Sequence, residues 1–124
     1  MSEIEGNLTS DKLSQVVVKG MQEKKAKDIT VLDLRKVNNA VSDFFVICSG
    51  TSDTQIQSIA ESIEKEVYLL NKEDPWHKEG LNNKSWVLID YVNVVAHIFK
   101  KDEREYYNLE SLWGDAEVET FEDL

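Results

Sequence analysis

Residues 85–99 read Ser-Trp-Val-Leu-Ile-Asp-Tyr-Val-Asn-Val-Val-Ala-His-Ile-Phe, and no other stretch restricts the fold as tightly. Two runs rich in Val, Ile and aromatic residues flank a polar break at Asn93, the short-range signature of a β-hairpin. With Val92-Asn93 as a two-residue loop, Tyr91 faces Val94, Leu88 faces His97 and Trp86 faces Phe99. Alternation then sorts the side chains onto two faces. Val87, Ile89, Tyr91, Val94, Ala96 and Ile98 make one face almost wholly apolar. Trp86, Leu88, Asp90, Val95, His97 and Phe99 make the other mixed aromatic and ionisable. The first face belongs in a core. The second needs a cover that tolerates an acid and an imidazole.

The rest of the chain supplies helices and further strands. Thr9 or Ser10 caps a helix that carries Leu13, Val16, Val17 and Met21 on one side, with Gly20 as a weak point inside it. Lys24-Lys25-Ala26-Lys27 closes this helix with the charge its C-terminus favours. Ile29–Leu34 reads as a strand, Asn38-Asn39-Ala40 as turn chemistry, and Phe44–Cys48 as a strand apolar on both faces, hence interior. Ser49-Gly50-Thr51-Ser52 breaks that strand, and Ser52 with Gln55 forms a capping box for a helix built on Ile56, Ile59, Ala60, Ile63 and Val67. Trp76–Glu79, after Pro75, reads as an edge strand. A final helix over Glu103–Trp113 groups Tyr106, Leu109 and Trp113. The pattern predicts one α/β domain, residues 1–114, with a mixed, about five-stranded sheet flanked by helices. Residues 115–124 carry Asp115, Glu117, Glu119, Glu122 and Asp123 without a basic residue and are expected to be a disordered acidic tail.

At 124 residues and 41% hydrophobic content the chain has material for one core. A net charge of −10 repels phosphate backbones and anionic lipid, so nucleic acid and membrane are disfavoured as direct partners and basic surfaces are favoured. No apolar run reaches the length of a membrane span, and Met1–Ser10 lacks the layout of a signal peptide. A lone Cys48 fits a reducing compartment, which makes the cytoplasm the expected location.

Few constellations support catalysis. The Ser49-Gly50 junction lies where backbone N–H groups bind phosphate, but the lysine of a P-loop and the glycines of a dinucleotide fingerprint are missing. Only Asp53 follows closely, Glu61 comes a helical turn or more later, and no paired carboxylates mark a two-metal site. His77, His97 and Cys48 fall short of a zinc site, and Cys48 reads as an inert core thiol. No metal and no cofactor is expected. His97 near Asp90 has the make-up of a base with an orienting acid but lacks a nucleophile, and reads better as a hydrogen-bonded sheet residue. Trp86 at a strand start and Tyr107 off the apolar stripe are interface material, whereas Leu109 and Trp113 read as core.

These residues also carry a family resemblance. Trp86–Phe99 followed by Arg104-Glu-Tyr-Tyr-Asn-Leu-Glu-Ser-Leu-Trp113 resembles the signature of the ribosomal silencing factor family (RsfS, also called Iojap). Asp28–Leu34 and Ser42–Ser52 match upstream, so the likeness runs from the first helix to Trp113. The family usually has Gly-Asp at the hairpin turn where this chain has Val92-Asn93, which leaves the turn type open. The resemblance implies a nucleotidyltransferase-like fold without that activity, often as a homodimer. It implies binding to large-subunit ribosomal protein fourteen (uL-fourteen), obstruction of subunit joining, and repression of translation when nutrients are scarce. By matching position Trp86 and Tyr107 become partner-facing anchors. Leu88, Asp90, His97 and Leu109 complete the expected partner-binding set. The competing expectations are a nucleotide-binding enzyme using the Ser49-Gly50 junction and a dimeric scaffold with another basic partner.

Overall fold

The computed structural model describes residues 8–124, so the first seven positions of the N-terminal stretch read for a leader, and of the expected domain, lie outside the described residues. Helix α1 (Ser10–Glu23) starts where Thr9 Oγ1 accepts from the Lys12 N–H at 3.2 Å. Strands β1 (Lys27–Asp33) and β2 (Phe44–Gly50) follow, then helix α2 (Asp53–Asn71), strands β3 (His77–Glu79), β4 (Trp86–Asp90) and β5 (Val94–Lys100), short helices α3 (Lys101–Tyr107) and α4 (Leu109–Leu112), and strand β6 (Glu117–Thr120). They form one sheet in the order β3-β4-β5-β2-β1-β6, with β2 and β5 parallel and every other pair antiparallel.

The hairpin has the expected register, Leu88 opposite His97 and Trp86 opposite Phe99. The two faces separate as alternation requires. Val87, Ile89, Tyr91, Val94, Ala96 and Ile98 join the core under α1 and α2. Phe45, Ile47, Val95, Phe99, Leu32, Leu34 and Leu109 form a second, smaller core on the opposite face. β2 is buried along its whole length, as its two-sided apolar pattern demands.

Cover is unequal. Helices of 14 and 19 residues lie on the first face, whereas helices of seven and four residues serve the second. On the first face the helices cross closely at Gly20. A Cβ there would stand 2.8 Å from the Ile63 Cα, and Ser62 Oγ donates to the Gly20 carbonyl at 2.8 Å. What weakens α1 as an isolated helix is what lets it pack on α2.

Three expectations are corrected. The sheet has six strands, because the acidic tail pairs: Leu32 lies opposite Val118 and Thr30 opposite Thr120. Phe121 anchors that strand by donating its N–H to the Ile29 carbonyl at 3.0 Å and packing against the core. Ordered structure therefore continues past residue 114. The last helix is broken in two at Asn108, whose left-handed φ of 47° ends α3, a conformation Asn tolerates. The capping box is shifted by one residue. Ser52 Oγ accepts from the Gln55 N–H at 3.1 Å, but Gln55 Oε1 reaches the Thr51 N–H at 2.8 Å.

The turn left open by Val92-Asn93 is a γ-turn. Asn93 N–H donates to the Tyr91 carbonyl at 3.0 Å across Val92, whose φ is 77°. Asp90 Oδ1 holds the Val92 N–H at 2.7 Å, and Ser42 Oγ donates to the Val92 carbonyl at 2.9 Å. These bonds maintain a conformation that a β-branched residue resists.

Two substitutions test this account. Gly20→Ala gains helix propensity of about 1 kcal/mol but drives a methyl into backbone, and it is expected to lower stability by about 2 kcal/mol in denaturant unfolding. Val92→Gly is expected to raise stability by about 1 kcal/mol, strain relief outweighing the added freedom of the unfolded chain. A thermal melt at or below the wild-type midpoint would contradict the second.

Candidate partner-binding face

The second sheet face is where the predicted site residues meet. Trp86 is half-buried at the start of β4, its ring stacked on Phe99 at 5.0 Å between centroids and tilted against Tyr107 at 4.8 Å. Tyr107, at the end of α3, stays 39% exposed. Leu88 and Asp90 are half-buried on the same strand. β3 extends the face beyond them, placing exposed His77 opposite Asp90 and exposed Glu79 opposite Leu88. The result is an aromatic pair beside a leucine, with acidic groups along one side.

Two predicted contact residues are corrected. His97 is only 3% exposed and Leu109 only 7%, so neither offers surface to a partner. Leu109 lies in the second core, the reading its apolar spacing gave. His97 accepts a hydrogen bond from Trp86 Nε1 at Nδ1, 3.0 Å away, and its ring meets the Phe45 ring edge-on at 4.6 Å. Burial in this apolar setting pushes its pKa down from 6.5 to about 3. Asp90 also has a structural duty, since Oδ1 caps the hairpin turn.

Arg104 was not singled out as a site residue, yet it fixes the strip that carries Tyr107. Its side chain is 12% exposed, and its guanidinium donates to Ser49 Oγ at 3.2 Å, Thr30 Oγ1 at 3.1 Å, Glu110 Oε2 at 2.8 Å and the Asp28 carbonyl. A register shift in β1 between Lys27 and Thr30, with Asp28 at φ 52°, turns that carbonyl toward it. One side chain thus joins α3 and α4 to two strands. A bulge has no sequence signal here, so the clamp was not legible in advance.

The Ser49-Gly50 junction is occupied by its own neighbours. Ser52 and Gln55 take the hydrogen bonds just described, Asp53 binds Lys100 Nζ at 2.5 Å, and a Cβ on Gly50 would lie 2.8 Å from Ile56 Cγ1. Among the described residues no group of three or more His, Cys, Asp or Glu is placed to hold a metal ion. Burial raises the Cys48 thiol far above its usual range, which keeps it a thiol rather than a nucleophilic thiolate. No helix among the described residues is long and apolar enough to cross a membrane.

The buried imidazole makes stability depend on pH. Its folded pKa lies below the unfolded value, so the unfolded chain takes up the proton first. That contribution is complete above pH 6.5 and is lost as pH falls toward 3, at about 1.4 kcal/mol per pH unit. Unfolding free energies between pH 7 and 5 should fall more steeply for wild type than for His97→Asn. Parallel slopes would refute a buried neutral ring.

Comparison with known proteins agrees with the geometry. The family model "Ribosomal silencing factor during starvation" matches residues 7–124, which includes β6. The ribosomal silencing factor of Bacillus subtilis is 43% identical over 82% of this chain and 85% of its own length. That of Halalkalibacterium halodurans is 41% identical over 88% and 92%. A mouse protein named for mitochondrial assembly of the ribosomal large subunit is 31% identical over 79% of this chain and 43% of its own. A crystal structure of a Chromobacterium violaceum protein superposes with a TM-score of 0.81 at 28% identity, covering 86% of this chain and 88% of that one. A Bacillus halodurans structure gives 0.73 at 40% identity, covering 83% and 94%. Family model, relatives and fold converge, and the chain belongs to the ribosomal silencing factor (RsfS) family.

Proposed function

We propose that this protein is a ribosome-silencing factor that docks its half-covered sheet face on a basic protein of the large ribosomal subunit, uL-fourteen. Once bound, it occupies volume the small subunit must enter, and translation is repressed when nutrients are limiting. The observation that carries this reading is the Trp86–Tyr107 pair, left partly exposed beside Leu88 and bordered by Asp90 and Glu79. Large rings in a partly desolvated setting supply affinity, while the acidic border selects a cationic surface over RNA phosphate. The net charge of −10 favours the same choice. The names of the relatives support a ribosomal partner.

The action is steric and requires no catalysis, cofactor or metal. We place it in the cytoplasm, as a homodimer. The nucleotide-binding alternative is the weaker one, because Ser52, Gln55, Asp53 and Lys100 satisfy one another at the junction where a triphosphate would sit.

Sedimentation of ribosomes with added protein tests the reading. The expected outcome is a shift from joined ribosomes to free subunits, and an unchanged profile defeats it. Trp86→Ala and Tyr107→Ala are each expected to weaken binding to large subunits by about 2 kcal/mol or more. Binding lost only in proportion to folded protein, as followed by thermal melts, would make both residues core rather than interface.

A further inference from the structure

We propose that His97 is the positioning residue of the docking face: its Nδ1 fixes the Trp86 indole in the one orientation offered to the partner. This rests on the docking reading above. Trp86, Phe99 and Tyr107 pack as a triangle of rings, with Trp86 centroid distances of 5.0 and 4.8 Å and 5.7 Å between the other two. Ring packing of this kind is far less directional than a hydrogen bond, so contact with the two rings leaves the orientation of the indole N–H to be chosen by something else. The hydrogen bond from Trp86 Nε1 to His97 Nδ1 at 3.0 Å is the directional contact that chooses among them.

The cost borne by His97 supports this role. An indole nitrogen only donates, so Nδ1 must offer its lone pair and the ring proton must sit on Nε2. Nε2 is buried and has no hydrogen-bond partner among the described residues, in a ring whose centroid lies 4.6 Å from that of Phe45. A leucine would fill the site without an unpaired donor. Histidine is explained by what its other nitrogen does. The arrangement also narrows the partner's chemistry. The indole N–H is already occupied, so Trp86 presents ring surface and not a donor. What meets it is a lysine or arginine head or an alkyl stem, and not a hydrogen-bond acceptor.

Nuclear magnetic resonance of the full chain tests the geometry directly. The expected spectrum has His97 protonated at Nε2, bare at Nδ1, and a 15N–15N coupling across the bond to the Trp86 indole. A proton on Nδ1, or no coupling, overturns the proposal. Binding to purified Bacillus subtilis large ribosomal subunits tests the consequence. His97→Leu should bind about tenfold more weakly with a broadened Trp86 indole signal, and His97→Asn, whose Oδ1 falls near the Nδ1 position, should restore binding. If His97→Leu binds like wild type while Trp86→Ala does not, the positioning role falls and the docking reading survives. If Trp86→Ala also binds like wild type, the docking reading falls and the positioning role with it. Should His97→Leu fail to fold, the coupling in wild type and the binding of His97→Asn decide the matter.

Discussion

A slip of one residue between β4 and β5 would exchange the two faces of the sheet, since side chains alternate with a period of two. Trp86 and Asp90 would then enter the helix-covered core, and Val87 and Ile89 would face the sparse side. The γ-turn at Val92 forbids this, because the bonds from Asp90, Asn93 and Ser42 fix its atoms on all sides. Asp43 and Phe44 N–H groups also donate to the Asn93 carbonyl, at 2.8 and 3.1 Å, tying the same turn to the start of β2. Register in the hairpin and the parallel alignment of β2 with β5 are therefore set at one place. Everything described on the second face inherits that alignment.

From fixed register follows unequal burial. Two long helices that meet at Gly20 seal one face, and the short α3 and α4 leave the other partly open. The short α3–α4 strip would have little hold of its own, as no residue of α3 is buried. Arg104 compensates by bonding to two strands and to Glu110. Tyr107 is thereby kept against Trp86 at the edge of bare sheet. A face left half-covered by a clamped strip is a durable surface, not a flexible one.

Sequence carried much of this and missed a definable remainder. Period-two and helical spacing revealed the hairpin, the buried β2 and the apolar side of α2, because each is a local pattern with a single burial solution. The tail was misread because five acids outweighed a weaker signal, the alternation around Val118 that ends at Phe121. An edge strand gains its bonds from a neighbour far away in sequence, and acidic side chains suit an edge that must not pair further. The break at Asn108 was hidden by the helical spacing of Tyr106, Leu109 and Trp113, which says nothing about backbone sign. In the structure that break separates them, leaving Tyr106 80% exposed and Leu109 buried. His97 was placed on the right face but at the wrong depth, since depth depends on what covers a face rather than on its pattern.

On the proposed reading, the depth of His97 bears on how a small acidic chain acts on a machine made largely of RNA. Charge alone repels it from most of that surface, so binding has to be concentrated on a few rings. Rings that reorient on binding would spend part of that affinity on ordering themselves. Packing against Phe99 and Tyr107, with a hydrogen bond to a buried imidazole, removes that loss before the partner arrives. At the Ser49-Gly50 junction, likewise, internal bonds satisfy groups that would otherwise face solvent or a ligand. On the proposed reading, a protein that acts by occupying space needs a rigid body and one prepared face. The strained turn and the unpaired histidine nitrogen are costs borne for that face.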